Sequence, residues 1–274
     1  MFQFVRRHTN YGRACTTPFL CRHFFHDIHL IIASHQVRNA PPGAQFATLD
    51  IEAAYRGIPC LPKHKPYLIV YHDGKLYIDH NIPFGLSSAT GLQGEVACAT
   101  VDIWRSFDVK PTNKWVDDVY IWRFPSAQGI YLGISNGHVW RCDYDLSKAK
   151  SLVAEGNVPW HGGKGQPFKD DGEYVGFFWD VPNECATLVE RKRRKYVGRL
   201  ADFISRFQHS RVPLRELQRI SGCLTHAAFI YPHGRSYLSN LYSAIASYPN
   251  EHSPRFSPTF SHIGLGLVVD ATAS

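Results

Sequence analysis

The chain has 274 residues, with 30 Lys and Arg against 23 Asp and Glu, a formal net charge of +7. At 44% hydrophobic and 14% aromatic residues it can bury a core, which excludes a disordered chain. No run reaches the roughly 18 consecutive apolar residues of a membrane span. The opening MFQFVRRHTNYGR lacks an apolar signal core, so the expectation is an intracellular protein, cytoplasmic or nuclear, with no membrane partner.

In residues 1–45, His, Arg and Phe alternate without firm period until 26–35, which reads as a short helix. Residues 37–45 form a loop by their Pro-Pro-Gly. Seven dispersed cysteines without a C-x-x-C pair fit reduced thiols. Cys15, Cys21, His23, His26 and His29 crowd together, but the five-residue gap between the cysteines fits no common zinc finger. Ordinary packing and exposed histidines are the plainer explanation.

Residues 46–59, FATLDIEAAYRGIP, carry a buried strand of Phe46, Ala47, Leu49 and Ile51 that Asp50 interrupts. An ionised carboxylate there is costly unless paired or bound to metal. Residues 66–79 form a hairpin about Asp73-Gly74, expected to extend the sheet that carries Asp50. From residue 83, Leu92, Val96, Ala99, Ile103 and Phe107 recur at helical spacing and predict the buried face of an amphipathic helix. Ser87 or Ser88 caps its start, and Gly85 and Gly91 allow close backbone approach.

KWVDDVYIWR, residues 114–123, reads as two strands joined by a tight turn holding Asp117 and Asp118. Two turn aspartates alone are more often a surface turn. With Asp50 they make a three-carboxylate cluster from neighbouring strands, the hard-oxygen set that suits Mg²⁺ and two-metal phosphoryl transfer.

Residues 144–160 read as a helix ended by Gly156 and Pro159. GGKGQPF, 162–168, offers Lys164 to protonate or neutralise a leaving pyrophosphate, with Lys169 as competitor and a solvent-exposed loop lysine as the plain alternative. Residues 173–189 form a hairpin turning at Pro182-Asn183, with Phe177, Phe178 and Trp179 alternating between faces. Residues 190–208 are a basic amphipathic helix whose apolar face is Tyr196, Leu200, Phe203, Ile204 and Phe207, and a second helix starts at Pro213. Residues 190–220 hold ten Lys and Arg against three acids, so the rest of the chain is neutral and the positive charge sits in one segment. That is the footprint of a nucleic-acid contact surface. Residues 246–260 read as a linker, and an apolar run then leads to Asp270. The alternation fits an α+β fold with helices behind an antiparallel sheet.

LDIEAAY, PFGLSSATGLQGEVACA, WVDD, GGKGQPF and EYVGFFWDV, in this order over residues 46–181, resemble the five palm motifs of reverse transcriptases. The segments after the third are most similar in style to retrotransposon enzymes of the tyrosine-recombinase type found in fungal genomes. The resemblance implies a polymerase palm over 46–189 and a helical thumb over 190–245. It implies short or truncated fingers over 1–45, with Arg13, Arg22 and Arg38 as candidates for the triphosphate. Residues 246–274 would be a linker and the truncated start of a ribonuclease H-like domain. The implied reaction adds deoxynucleotides from their triphosphates to a DNA primer on an RNA template. Asp50, Asp117, Asp118 and the main-chain carbonyl of Ile51 would hold two Mg²⁺ ions, or Mn²⁺. Tyr55 would be the aromatic gate against a 2′-hydroxyl, and Gln93 and Gly94 would bear on the nucleotide. Residues 173–189 would grip the primer end, and Arg191, Arg194, Arg199 and Arg206 would contact nucleic-acid phosphates. The alternative is a catalytically inactive retroelement remnant that binds nucleic acid. A Mg²⁺-dependent nuclease accounts for neither Tyr55 nor the basic helix.

Overall fold

The computed structural model describes residues 29–207, 210–231, 234–248 and 255–256. Cys15, Cys21, His23, His26, Arg13, Arg22 and the run to Asp270 lie outside the described residues. The helices are α1 (29–38), α2 (Ala89–Ser106), α3 (Leu146–Leu152), α4 (Glu190–Phe207), α5 (Leu214–Ala227) and α6 (Arg235–Ala246). The strands are β1 (Gln45–Asp50), β2 (Ile69–His72), β3 (Lys75–Ile78), β4 (Thr112–Trp115), β5 (Asp118–Arg123), β6 (Tyr131–Ser135) and β7 (His138–Cys142). They continue with β8 (Gln166–Lys169), β9 (Asp171–Tyr174), β10 (Phe177–Asp180), β11 (Cys185–Leu188), β12 (Arg211–Val212) and β13 (Arg255–Phe256).

The central sheet has the order β4-β5-β1-β8 and is antiparallel throughout. Its inner strands, β1 and β5, are covered on both faces, which is why they read as nearly continuous apolar runs. Successive side chains alternate between the faces. Leu49, Ile51, Val119 and Ile121 turn towards α2 and α3, where Trp104, Ala97 and Ala149 close the core. Phe46, Tyr120 and Trp122 turn the other way, onto Leu30, Ala33 and Val37 of α1 and Tyr174, Phe177 and Trp179 of the β9–β11 meander. The meander is a three-stranded sheet rather than one hairpin. The expected turn near Pro182-Asn183 joins β10 to β11, and a second turn at Val175-Gly176 joins β9 to β10.

Helices α4, α5 and α6 form a bundle around Leu200, Phe203, Phe207, Leu217, Ile220 and Leu241. The apolar face read for α4 is the one that packs. Tyr196, Phe229 and Ile230 join the core beneath the meander, so the bundle is seated on the sheet layer.

Three expectations are corrected. The β2–β3 hairpin forms about Asp73-Gly74 but is a separate two-stranded sheet, with every strand residue exposed, and does not extend the sheet of Asp50. Helix α2 turns its other side inward: Leu92, Val96, Ile103 and Phe107 are exposed, while Ala89, Gln93, Ala97, Thr100, Val101 and Trp104 are buried. Small residues let the helix lie close to the sheet, and the Trp104 indole N–H, donating to the Ala149 carbonyl at 2.7 Å with its ring stacked on Trp160, fixes that face. The helix expected over 144–160 is shorter: α3 starts at the Asp145 cap, whose carboxylate accepts from the Lys148 N–H, and ends before a 3₁₀ turn at Ala154–Gly156.

Candidate active site

In the β1–β5 register Asp50 lies directly opposite Asp118. Both sit at the end of the β1–β5 pairing, in a cleft that Glu173, Tyr174, Val175 and Gly176 of the meander also line. Asp50 is 8% exposed, and Asp118 is half-buried. Asp117 occupies the two-residue β4–β5 turn, whose main chain accepts from the Ile51 N–H at 3.1 Å and so ties the turn to the end of β1. The first turn residue, Val116, has φ 53°, a conformation a β-branched residue adopts only when its surroundings hold it there. Gln93, 2% exposed on α2, supplies the hold by donating its side-chain amide to the Val116 carbonyl at 3.0 Å.

The carboxylates repel one another. Burial first, then the charges of Asp117 and Asp50, push the Asp118 carboxyl up to about 6, against the pull of Lys164 and Lys192. Lys164 lies 3.3 Å from both Asp50 oxygens. It reaches back because its loop lies flat on β1: Gly165 has φ +86°, and a Cβ there would stand 2.3 Å from the Thr48 carbonyl oxygen. Lys169 pairs opposite Phe46, at the far end of β1, and is removed from the carboxylates. Among the described residues no three His, Cys, Asp or Glu side chains converge as a metal-ligand group. Asp50 and Asp118 line one cleft of about 600 Å³; Asp117 does not line it. The donors fit a hard divalent cation, because two carboxylates held together against their own repulsion are what such an ion relieves. Asp117 would have to turn inward to join them. The Ile51 carbonyl is not used by the bridge to Trp160, which the Asp50 carbonyl and the Glu52 N–H make instead.

Tyr55, Gln93 and Gly94 gather in a second recess of about 810 Å³, with Thr90, Lys114 and Trp115. Trp115 lines both cavities, so they meet beside the β4–β5 turn. The Tyr55 ring stands edge-on to Phe84 at 5.2 Å, and its hydroxyl lies 3.4 Å from the Thr90 hydroxyl. Gln93 reaches the Val116 main chain, so the contact it shows is with the β4–β5 turn. Gly94 lies beside the Lys114 ammonium. Arg38 is exposed on α1 and lines neither cavity.

Of the four arginines expected on nucleic acid, Arg191 lines the cleft of Asp50 and Asp118. Arg194 is ion-paired with Glu190, Arg206 pairs with Asp202 and lies over the Phe207 ring, and Arg199 is directed at the Cys223 sulfur on α5. The sequence reading passes over Lys192, which is half-buried and lines the same cleft. Burial chiefly, then Arg191 and Lys195, lower its basicity, while Asp118 and Glu173 oppose that. Its signal is positional: residues 192, 196, 200, 203 and 207 share one helical stripe, and Lys192 is the charge on that stripe.

No protein-family model matches this sequence, and no curated protein matches it. Among solved structures, the chain is similar to the foamy viral protease-reverse transcriptase in complex with an RNA/DNA hybrid. That likeness has a TM-score of 0.57 at 16% identity and covers 88% of this chain and 29% of that one. Two further structures of that protein, the dRH form with double-stranded DNA and another with double-stranded DNA, each give a TM-score of 0.56 at 16% identity. They cover 87% and 88% of this chain and 37% and 44% of theirs. This chain therefore spans less than half the length of those proteins. The likeness shows the fold: an α+β, reverse-transcriptase-like architecture of an antiparallel sheet backed by helices. No described helix is long and apolar enough to cross a membrane.

Proposed function

We propose that the chain is the palm and thumb of a retroelement reverse transcriptase, adding deoxynucleotides to a primer 3′-hydroxyl on an RNA template. The observation that carries this reading is the direct opposition of Asp50 and Asp118 on adjacent strands, beside a turn that also holds Asp117, in a cleft edged by Arg191 and Lys192 of the basic helix. The five motifs in order over residues 46–181, and neighbours solved with an RNA/DNA hybrid and with double-stranded DNA, support it. Within this reading, the style of the segments after the third motif resembles tyrosine-recombinase-type retrotransposons.

Mg²⁺ held by Asp50 and Asp118, with Asp117 and the Ile51 carbonyl as further ligands, would lower the pKa of the attacking hydroxyl and neutralise the leaving pyrophosphate. Lys164, on its glycine-bounded loop, is placed to leave Asp50 for the departing phosphate and give it a proton. Tyr55, at the mouth of the second recess, sets the space beside the sugar and rejects a 2′-hydroxyl by steric exclusion. Gln93 holds the turn that carries Asp117 and Asp118. The exposed cations of α4 bind phosphates without reading sequence.

A catalytically inactive remnant that binds nucleic acid is the second reading. It is favoured by Asp117 lying outside the cleft and by Lys164 already neutralising Asp50. Primer extension on a poly-rA template with Mg²⁺ and dTTP separates the two. Extension lost on Asp118→Ala supports the polymerase; duplex binding without extension supports the remnant.

A further inference from the structure

The segment after Trp160 runs beside β1 but does not keep step with it. Ile51 faces Trp160 and Thr48 faces Gln166, so three steps along β1 are matched by six on its partner. The surplus bulges out between them, and Lys164 sits in that bulge, 3.3 Å from both Asp50 oxygens. Both ends of the bulge are pinned to β1. The His161 N–H donates to the Asp50 carbonyl at 2.9 Å, and Gly165 lies against the Thr48 carbonyl. Between the pins come Gly162, Gly163 and Lys164, and two successive glycines leave the backbone many conformations. The bond that ties this stretch comes from the His161 ring, whose Nδ1 accepts the Gly163 N–H at 3.0 Å. The ring so closes a turn of the kind that an Asn or Asp side chain makes with the N–H two residues on. A Cβ on Gly163 would meet that same ring, 3.6 Å from its Cε1. An Nδ1 that accepts leaves the ring proton on Nε2.

Resting on the polymerase reading, we propose that His161 is a positioning residue: by holding Gly163 it sets where Lys164 stands, on Asp50 before the reaction and within reach of the leaving phosphate during it. His161 is itself anchored for this task. Its main chain is bonded to the strand that carries Asp50, and the preceding Trp160 is stacked on Trp104 of α2 with ring centroids 5.6 Å apart. The ring that shapes the loop and the carboxylate that receives Lys164 therefore hang from the same strand end. Removing the imidazole frees residues 162–164 and leaves both pins in place, because the pins are main-chain contacts.

The test has two arms, both on the full chain. The first is a short pulse of acetic anhydride, with Lys164 acetylation read by peptide mass spectrometry against the exposed Lys75 and Lys148 as internal references. His161→Ala should raise acetylation of Lys164 about five-fold, the value of one ordinary hydrogen bond, and leave the references unmoved. His161→Asn, whose side-chain oxygen can take the same N–H, should label as the wild type does. The second arm is single-turnover primer extension. His161→Ala should slow nucleotide addition about five-fold at saturating nucleotide without changing the nucleotide KM, and His161→Asn should restore the rate. In a Lys164→Met background the alanine substitution should cost nothing further, since residues that act as one unit do not add. Lys164 labelling that His161→Ala leaves unchanged, or a loss that recurs in full in the Lys164→Met background, would overturn the assignment. Labelling that responds while the wild type never extends a primer would sink the polymerase reading and leave His161 as the holder of the Lys164 loop. Extension by the wild type with labelling unmoved would do the reverse.

Discussion

Asp118→Asn should stabilise the protein at neutral pH while abolishing its proposed activity. The Asp118 carboxyl stands at about 6 against an ordinary 3.8, raised by burial and by two neighbouring carboxylates. A raised carboxyl favours the native state where it is protonated in both states, below about pH 4. It loses that contribution as pH climbs from there through 6. At about 1.4 kcal/mol per pH unit the gap corresponds to about 3 kcal/mol, and solvent reaching a half-buried group reduces it to about 1–2 kcal/mol. Asparagine keeps the shape and cannot ionise. In urea denaturation with EDTA, the variant should exceed the wild type by about 1–2 kcal/mol at pH 7.5 and match it near pH 4. Mg²⁺ should then raise the wild-type midpoint more than that of the variant, because an ion that binds only the native state stabilises it by mass action. A variant no more stable than the wild type at pH 7.5 would refute the argument that these carboxylates are held together against their repulsion.

Gln93→Leu leaves the Val116 carbonyl without its buried donor and should cost about 1–3 kcal/mol of stability. It should lower kcat about ten-fold with little change in nucleotide KM, because the turn carrying Asp117 and Asp118 loosens. A rise in KM alone would mean that Gln93 touches the nucleotide directly. Val116→Gly should leave stability unchanged or raise it by about 1 kcal/mol, since glycine takes a positive φ without the steric cost valine bears there. Denaturation of the variant beside Val119→Gly, buried nearby on β5, checks this; a loss at 116 comparable to that at 119 would contradict the strain.

Asp50 and Asp118 were readable in the sequence because each interrupts an apolar run, and a buried charge needs a reason. The cross-strand pairing that joins them follows from the same alternation. Asp117 was indistinguishable from its neighbour: at a turn the direction of a side chain depends on backbone angles that no residue type dictates. The inward face of α2 is not legible from hydrophobic spacing, because its largest apolar residues lie outside. Ala89, Ala97 and Gln93 face the sheet since close approach and a hydrogen bond to Val116 decide there, which strands Leu92 and Phe107 outside. The β6–β7 hairpin carries Asn136-Gly137, a strong turn signal that makes this hairpin legible in the sequence. The turn at Val175-Gly176 has no usual turn pair, and its positive φ at Val175 is visible only in the fold. Lys192 was hidden in a run of cations and separable only by helical phase.

Metal-dependent primer extension by the full chain, beside Asp50→Asn and Asp118→Asn, tests the central claim most directly. The account predicts templated extension of an oligo-dT primer on poly-rA that requires Mg²⁺ or Mn²⁺ and is lost in both variants. Extension that survives either substitution, or a wild type that binds the duplex and never extends it, would contradict it.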